Sequence, residues 1–336
     1  LFEKLSCEFL TNDLTCEKAV QCLNSIFISR TDSAVAFRTF SPFLADALSK
    51  GTFSNQLPIS SNPHVIIFIL HFLFEYSSVF ELVLTYDQSK SNPEVNFFID
   101  ENVTILIENM ESKGISPDTL RDDLIILYQI ILSLQPDQLS SDHELRTAYW
   151  QLWDNNLRRV CYEVNHNSTF SPSSSFFLPF LDDIRSCLFT CISSSVDNDG
   201  ICMFQTRTTI GSLYMINPEV FIEFLKQQSP SPQLCYAIGT IEFVVDNSKI
   251  DSILMLVIEL LQYSSSDGSS EFQAALLFGV SHSTKCFQSN NQLFSQFIEF
   301  IIASMTGSDS MVSNAATLAL HYIVQRRAGL FKGECS

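Results

Sequence analysis

The pentapeptide Phe-Ile-Glu-Phe-Leu at 221–225 is written again as Val-Ile-Glu-Leu-Leu at 257–261 and as Phe-Ile-Glu-Phe-Ile at 297–301, 36 and then 40 positions apart. A second motif keeps step with it. Ile238-Gly239-Thr240 and Phe278-Gly279-Val280 also stand 40 apart, and each glycine precedes its glutamate-centred copy by 18 positions. Thr209-Ile210-Gly211, ahead of the first copy, reads as the same pair with a shorter connection. Two motifs recurring together describe a repeated two-element unit, in which each unit meets its neighbours through the same faces.

The elements read as helices. Gly and Pro are scarce, at 10 and 11, and apolar residues recur at three- and four-residue spacing, as in LFEKLSCEFL and AVQCLNSIFI. Polar clusters punctuate the text, and Ser116-Pro117-Asp118 and Ser229-Pro230-Ser231-Pro232 carry the capping and first-turn chemistry of helix starts. A period near 40 with two helices per unit is the HEAT signature. The expectation is an all-α chain: one α-solenoid of HEAT repeats over residues 1–336, about eight helix pairs in a right-handed superhelix. The glycine then lets neighbouring helices approach closely, the apolar helix is buried against the next repeat, and the central glutamate faces water.

Composition bounds the function. A chain that is 46% hydrophobic buries a large core rather than staying disordered. Its formal charge of -18, from 37 acidic and 19 basic residues, repels phosphate backbones, so nucleic acid is not an expected partner. Apolar runs such as VIIFIL before His71 fall short of the roughly 20 residues a membrane span needs. No secretory leader pattern opens the chain, and a start on Leu1 rather than Met reads as an internal fragment of a longer protein. Ten cysteines, among them Cys16, Cys22, Cys187, Cys191 and Cys235, lack paired short spacings and read as buried thiols of a reducing compartment. The sequons at Asn102 and Asn167 carry no meaning there.

Enzyme constellations are missing from the text. There is no phosphate-cradling GxxxxGK[ST] loop and no GxGxxG. Gly279-Val280-Ser281-His282-Ser283 begins like a nucleophile elbow but lacks the last glycine and sits in helical text. The histidines at 64, 71, 143, 166, 282 and 321 are isolated, no His/Cys set has zinc spacing, and Cys187 with Cys191 reads as core packing. Asp182-Asp183 reads as a helix-start charge pair. No catalytic residue, cofactor or metal is expected.

One feature exceeds what stacking requires. Ile253 to Ile258, and Phe297-Ile298 with Phe300 to Ile302, are apolar nearly all round the helix, whereas an outer solenoid helix shows water a polar face. Either the two helices are unusually buried, which pattern alone favours, or the space between them is a hydrophobic groove.

The text PQLCYAIGTIEFVVDNSKIDSILMLVIELL resembles the middle of the exportin-1 family of nuclear export receptors, where a Leu-Cys-aromatic-Ala-Ile-Gly motif leads into the outer helix of the cargo-binding repeat. LFEKLSCEFLTNDLTCEKAVQCLNSIF, ELRTAYWQLWDNN, FFLPFLDDIRSCLF and FSQFIEFIIASMTGSDSMVSNAATLALHYIVQRR are similar to further segments of that family in the family's order. Between Gly51 and Ser116 the similarity is only in helix rhythm. The resemblance implies a HEAT solenoid whose export-signal groove lies in residues 249–306, between outer helices Ile253–Tyr263 and Leu293–Met305. It puts Val257, Leu261 and Ser264 on one wall, Leu293, Phe297, Phe300 and Ser304 on the other, and Leu277 in the floor. The implied partners are leucine-rich export signals of cargo proteins, Ran-GTP and nucleoporins, with the protein shuttling between nucleus and cytoplasm.

The chain also departs from that family. Ser264 stands where many members have a cysteine, the loop Ser265–Ser270 lacks a lysine, and Phe300 replaces a basic rim residue. The long acidic hairpin that couples cargo to Ran is reduced to something like Ser193–Gly200. A HEAT scaffold that assembles proteins without cargo exchange remains the alternative reading.

Overall fold

The computed structural model describes residues 63–90, 101–166, 176–195, 200–241, 244–245, 248–283 and 291–331. All regular structure among the described residues is helical, with no strand, as the sequence leads one to expect. The segments LFEKLSCEFL and AVQCLNSIFI, and residues 196–199 within Ser193–Gly200, lie outside the described residues. The described chain divides into two compact units.

The first unit comprises α1 (Pro63–Lys90), α2 (Glu101–Ser112), α3 (Pro117–Leu132), α4 (Pro136–Ser141) and the part of α5 (His143–His166) up to Asn156, joined by residues 168–184. α3 begins as its sequence demands. The Ser116 hydroxyl accepts a hydrogen bond from the Thr119 amide at 3.2 Å, Pro117 occupies the first turn where no donor is needed, and Asp118 adds charge to the positive end of the helix dipole. Its entry turn uses Gly114, whose φ of 68° is left-handed, with the Ile115 amide donating back to the Met110 carbonyl at 2.9 Å.

The YWQLWDNN stretch of α5 supplies the core of this unit. Tyr149, Trp150, Leu152 and Trp153 are completely buried. The Tyr128 ring meets Trp153 at 5.8 Å and Phe177 edge-on at 5.0 Å, the offset geometry that the ring quadrupole favours. A polar bridge threads this aromatic packing: buried Asn156 donates to the Tyr128 hydroxyl at 3.1 Å and accepts from the Ser77 hydroxyl at 2.8 Å, joining α1, α3 and α5. Because each group is satisfied, burial there is tolerable, and the directionality fixes the register of three helices.

The second unit takes residues 157–167 and everything from Arg185 onward. It contains α6 (Leu181–Cys191) from Arg185 onward; the first turn of that helix, in the first unit, carries Asp182 and Asp183 as expected of a helix-start charge pair. α7 (Gly200–Ile216), α8 (Pro218–Lys226), α9 (Pro232–Ile241), α10 (Ile250–Asp267), α11 (Ser270–Ser281), α12 (Asn291–Met305) and α13 (Ser310–Phe331) follow. The Ser231 hydroxyl accepts from the Leu234 amide at 3.3 Å to start α9, with Pro232 as its first residue. α7, α9, α11 and α13 pack on one another in series, while α8 packs on α7 and α10, α10 on α11, and α12 on α13. Cys161, Cys187, Cys191 and Cys235 are free thiols, and burial pushes the Cys235 thiol far above its usual range.

The recurrent glycines meet each other. A Cβ on Gly239 would lie 2.9 Å from the Gly279 Cα, and one on Gly279 would lie 2.1 Å from the Cys235 carbonyl oxygen. The backbones of α9 and α11 therefore touch where a side chain would hold them apart. Ser283 completes the junction, its hydroxyl lying 2.9 Å from the Gly279 carbonyl and 3.3 Å from that of Ile238. Gly211 is different: a Cβ there meets only Val244 side-chain atoms, at 3.6 Å and beyond, which is ordinary contact.

Two outcomes follow for thermal melts. Gly279→Ala should destabilise by at least about 3 kcal/mol, because backbone rather than a flexible side chain has to move, and Gly239→Ala by less. Gly211→Ala should be neutral or stabilising by about 0.5–1 kcal/mol through helix propensity.

Asp123 supplies the third. It sits within the buried stripe of α3 formed by Leu120, Leu124, Leu127 and Ile131, and its Oδ2 has no hydrogen-bond partner. Burial first, and then the charge of Asp122, raises its pKa to about 6. The folded state thus binds a proton more tightly than the unfolded one, so stability should fall as pH rises from about 4 to about 6 and stay lower above that. Asp123→Asn should remove this component, raising the melting temperature at pH 7 by the equivalent of roughly 1–3 kcal/mol and scarcely changing it at pH 4.

Candidate functional site

The three copies of the glutamate-centred motif lie in α8, α10 and α12 and agree in burial at their first and third positions. The first residue is sealed in every copy, Phe221, Val257 and Phe297, and the glutamate is exposed in every copy, Glu223, Glu259 and Glu299. The glutamates are therefore solvated; Glu223 also pairs with Lys226 one turn on, at 2.7 Å. The apolar residues turn inward because helix period places positions 1 and 4 or 5 of the motif on one side and position 3 opposite.

α10 and α12 carry apolar side chains beyond those they bury. Ile253, Leu256, Val257 and Leu260 of α10 are buried, but Leu254, Ile258 and Leu261, at i, i+4 and i+7, form a half-buried apolar row beside them, and Met255 is 57% exposed. On α12, Phe297 and Ile301 are buried, Leu293, Phe294, Ile298 and Phe300 are half-buried, and Ile302 is 54% exposed. The two helices are not close-packed on each other, whereas α10 lies on α11 and α12 on α13. α11 presents Leu277, completely buried, between Leu276 and the half-buried Phe278.

The residues expected at the site divide by burial. Leu261, Ser264, Leu293, Phe300 and Ser304 are half-buried. Val257, Phe297 and Leu277 are at 0% exposure, so their side chains are sealed in the core. Phe297 stacks with Phe300 at 6.4 Å, which couples the buried ring to a half-buried one. The Ser264 hydroxyl is enclosed and has no hydrogen-bond partner. Leu254 and Ile258 share the half-buried row of Leu261 and were not singled out in the sequence: the apolar run that contains them was visible there, and their phase on the helix was not.

Charge at the site is of one sign. Asp251, Glu259, Glu271 and Glu299 are all exposed, and α10, α11 and α12 contain no lysine or arginine. Asp309 caps α13 by accepting from the Met311 and Val312 amides at 2.9 and 3.1 Å, and a hydrogen bond from the Ser270 hydroxyl, together with those amides, holds its carboxyl below the usual range.

Ser281 and His282 have structural partners. The Ser281 hydroxyl lies 2.8 Å from the Phe278 carbonyl, and the His282 ring stacks between Phe278 at 4.2 Å and Tyr322 at 3.7 Å. Among the described residues no group of histidine, cysteine and carboxylate side chains could hold a metal, and no helix is long and apolar enough to cross a membrane. No protein-family model matches the chain, and no curated protein matches it.

Burial sets an expected outcome. Val257→Asp or Phe297→Asp would bury an unpaired carboxylate, so either variant should lose several kcal/mol, on the order of 3 or more, and show a collapsed circular dichroism melt. Leu261→Ser, at a half-buried position, should lower the melt far less.

Proposed function

We propose that the chain is a stretch of HEAT-repeat solenoid of the exportin-1 kind, and that its α10–α12 region binds leucine-rich export signals of cargo proteins. The observation that carries the reading is that α10 and α12 both leave apolar side chains half-buried and are not packed closely on each other. Helix-in-groove recognition uses such a slot: an amphipathic peptide inserts apolar side chains, each contributing roughly 1.5–3 kcal/mol on full burial before ordering costs. Leu254, Ile258 and Leu261 on one side, with Leu293 and Phe300 on the other, supply the apolar walls, and Val257, Leu277 and Phe297 hold them in place. The 40-residue period and the Gly239–Gly279 contact support the repeat architecture, because equivalent helices in successive units meet through equivalent residues.

In this reading Ran-GTP controls cargo loading, nucleoporins are transient partners, and the protein shuttles between nucleus and cytoplasm. The 3-10 turn Ile192–Ser195 packs on α7 and α9, and in this reading the short segment that follows it stands where the family has the acidic hairpin that couples cargo to Ran. The second reading, a scaffold that assembles proteins without cargo exchange, draws on the same stacked helices but predicts no peptide preference.

Fluorescence anisotropy with a leucine-rich export peptide, with and without GTP-loaded Ran, tests both. Saturable binding that Leu261→Ser weakens about tenfold with a near-normal melt supports the receptor, and Ran-dependent tightening supports nucleotide control. Binding untouched by Leu261→Ser, or no binding in either condition, supports the scaffold.

A further inference from the structure

We draw no further inference here: the strongest candidate, the surface patch on α13 that leaves Met311, Leu318 and Val324 exposed, is an apolar helix face, and nothing in the structure shows what covers it.

Discussion

The second unit depends on a contact between two backbones. Gly239 and Gly279 lie against each other, and the space for a Cβ on Gly279 is already taken by the carbonyl of Cys235. Helices that touch this way cannot be separated by ordinary side chains, so α9 and α11 sit at the closest approach available, and each is positioned by the other's main chain rather than by adjustable rotamers. The inner series α7, α9, α11 and α13 carries the outer helices, so this contact bears on where α10 and α12 stand. Gly211, with room for a methyl group, shows that the motif alone does not create such a contact; the neighbour has to bring its own small residue.

The outer helices follow from that arrangement. α10 rests on α11 and α12 rests on α13, so each finds its burial partner in the inner layer and not in the other. Buried Val257 and Phe297 anchor them, which leaves Leu254, Ile258 and Leu261 and their counterparts on α12 with only partial cover. Partial cover costs free energy in water, and an arrangement of this kind is suited to a ligand that completes the burial. The surrounding carboxylates add a sign to that surface without adding to its stability.

The first unit is organised differently. Its core is aromatic, and Asn156 ties three helices together by hydrogen bonds to Ser77 and Tyr128. Such a bridge specifies register, since a slip would strand buried donors and acceptors. Asp123 shows the opposite case, a carboxyl within an apolar stripe that is kept by holding a proton more readily than usual.

Local chemistry made much of this legible in the text. Helical periodicity, the caps at Ser116 and Ser231, the charge pair at Asp182-Asp183 and the exposure of Glu223, Glu259 and Glu299 are decided within one or two turns of chain, where spacing and side-chain type suffice. The close approach at Gly239 and Gly279 was legible too, because the two residues recur with the period that brings them together. What only the tertiary structure decided is the phase of burial on α10 and α12. A polar face is marked in the text, by Gln292, Ser295, Gln296 and Glu299 on α12 and by Asp251, Glu259 and Gln262 on α10, but apolar residues cover the rest of each helix, so spacing leaves their flanks equivalent and does not say that Val257 and Phe297 are the ones fully sealed. The packing partner breaks that symmetry: α11 and α13 seal whichever side meets them, and the row left half-covered is set by where those neighbours lie, a distance in space that no spacing along the chain encodes.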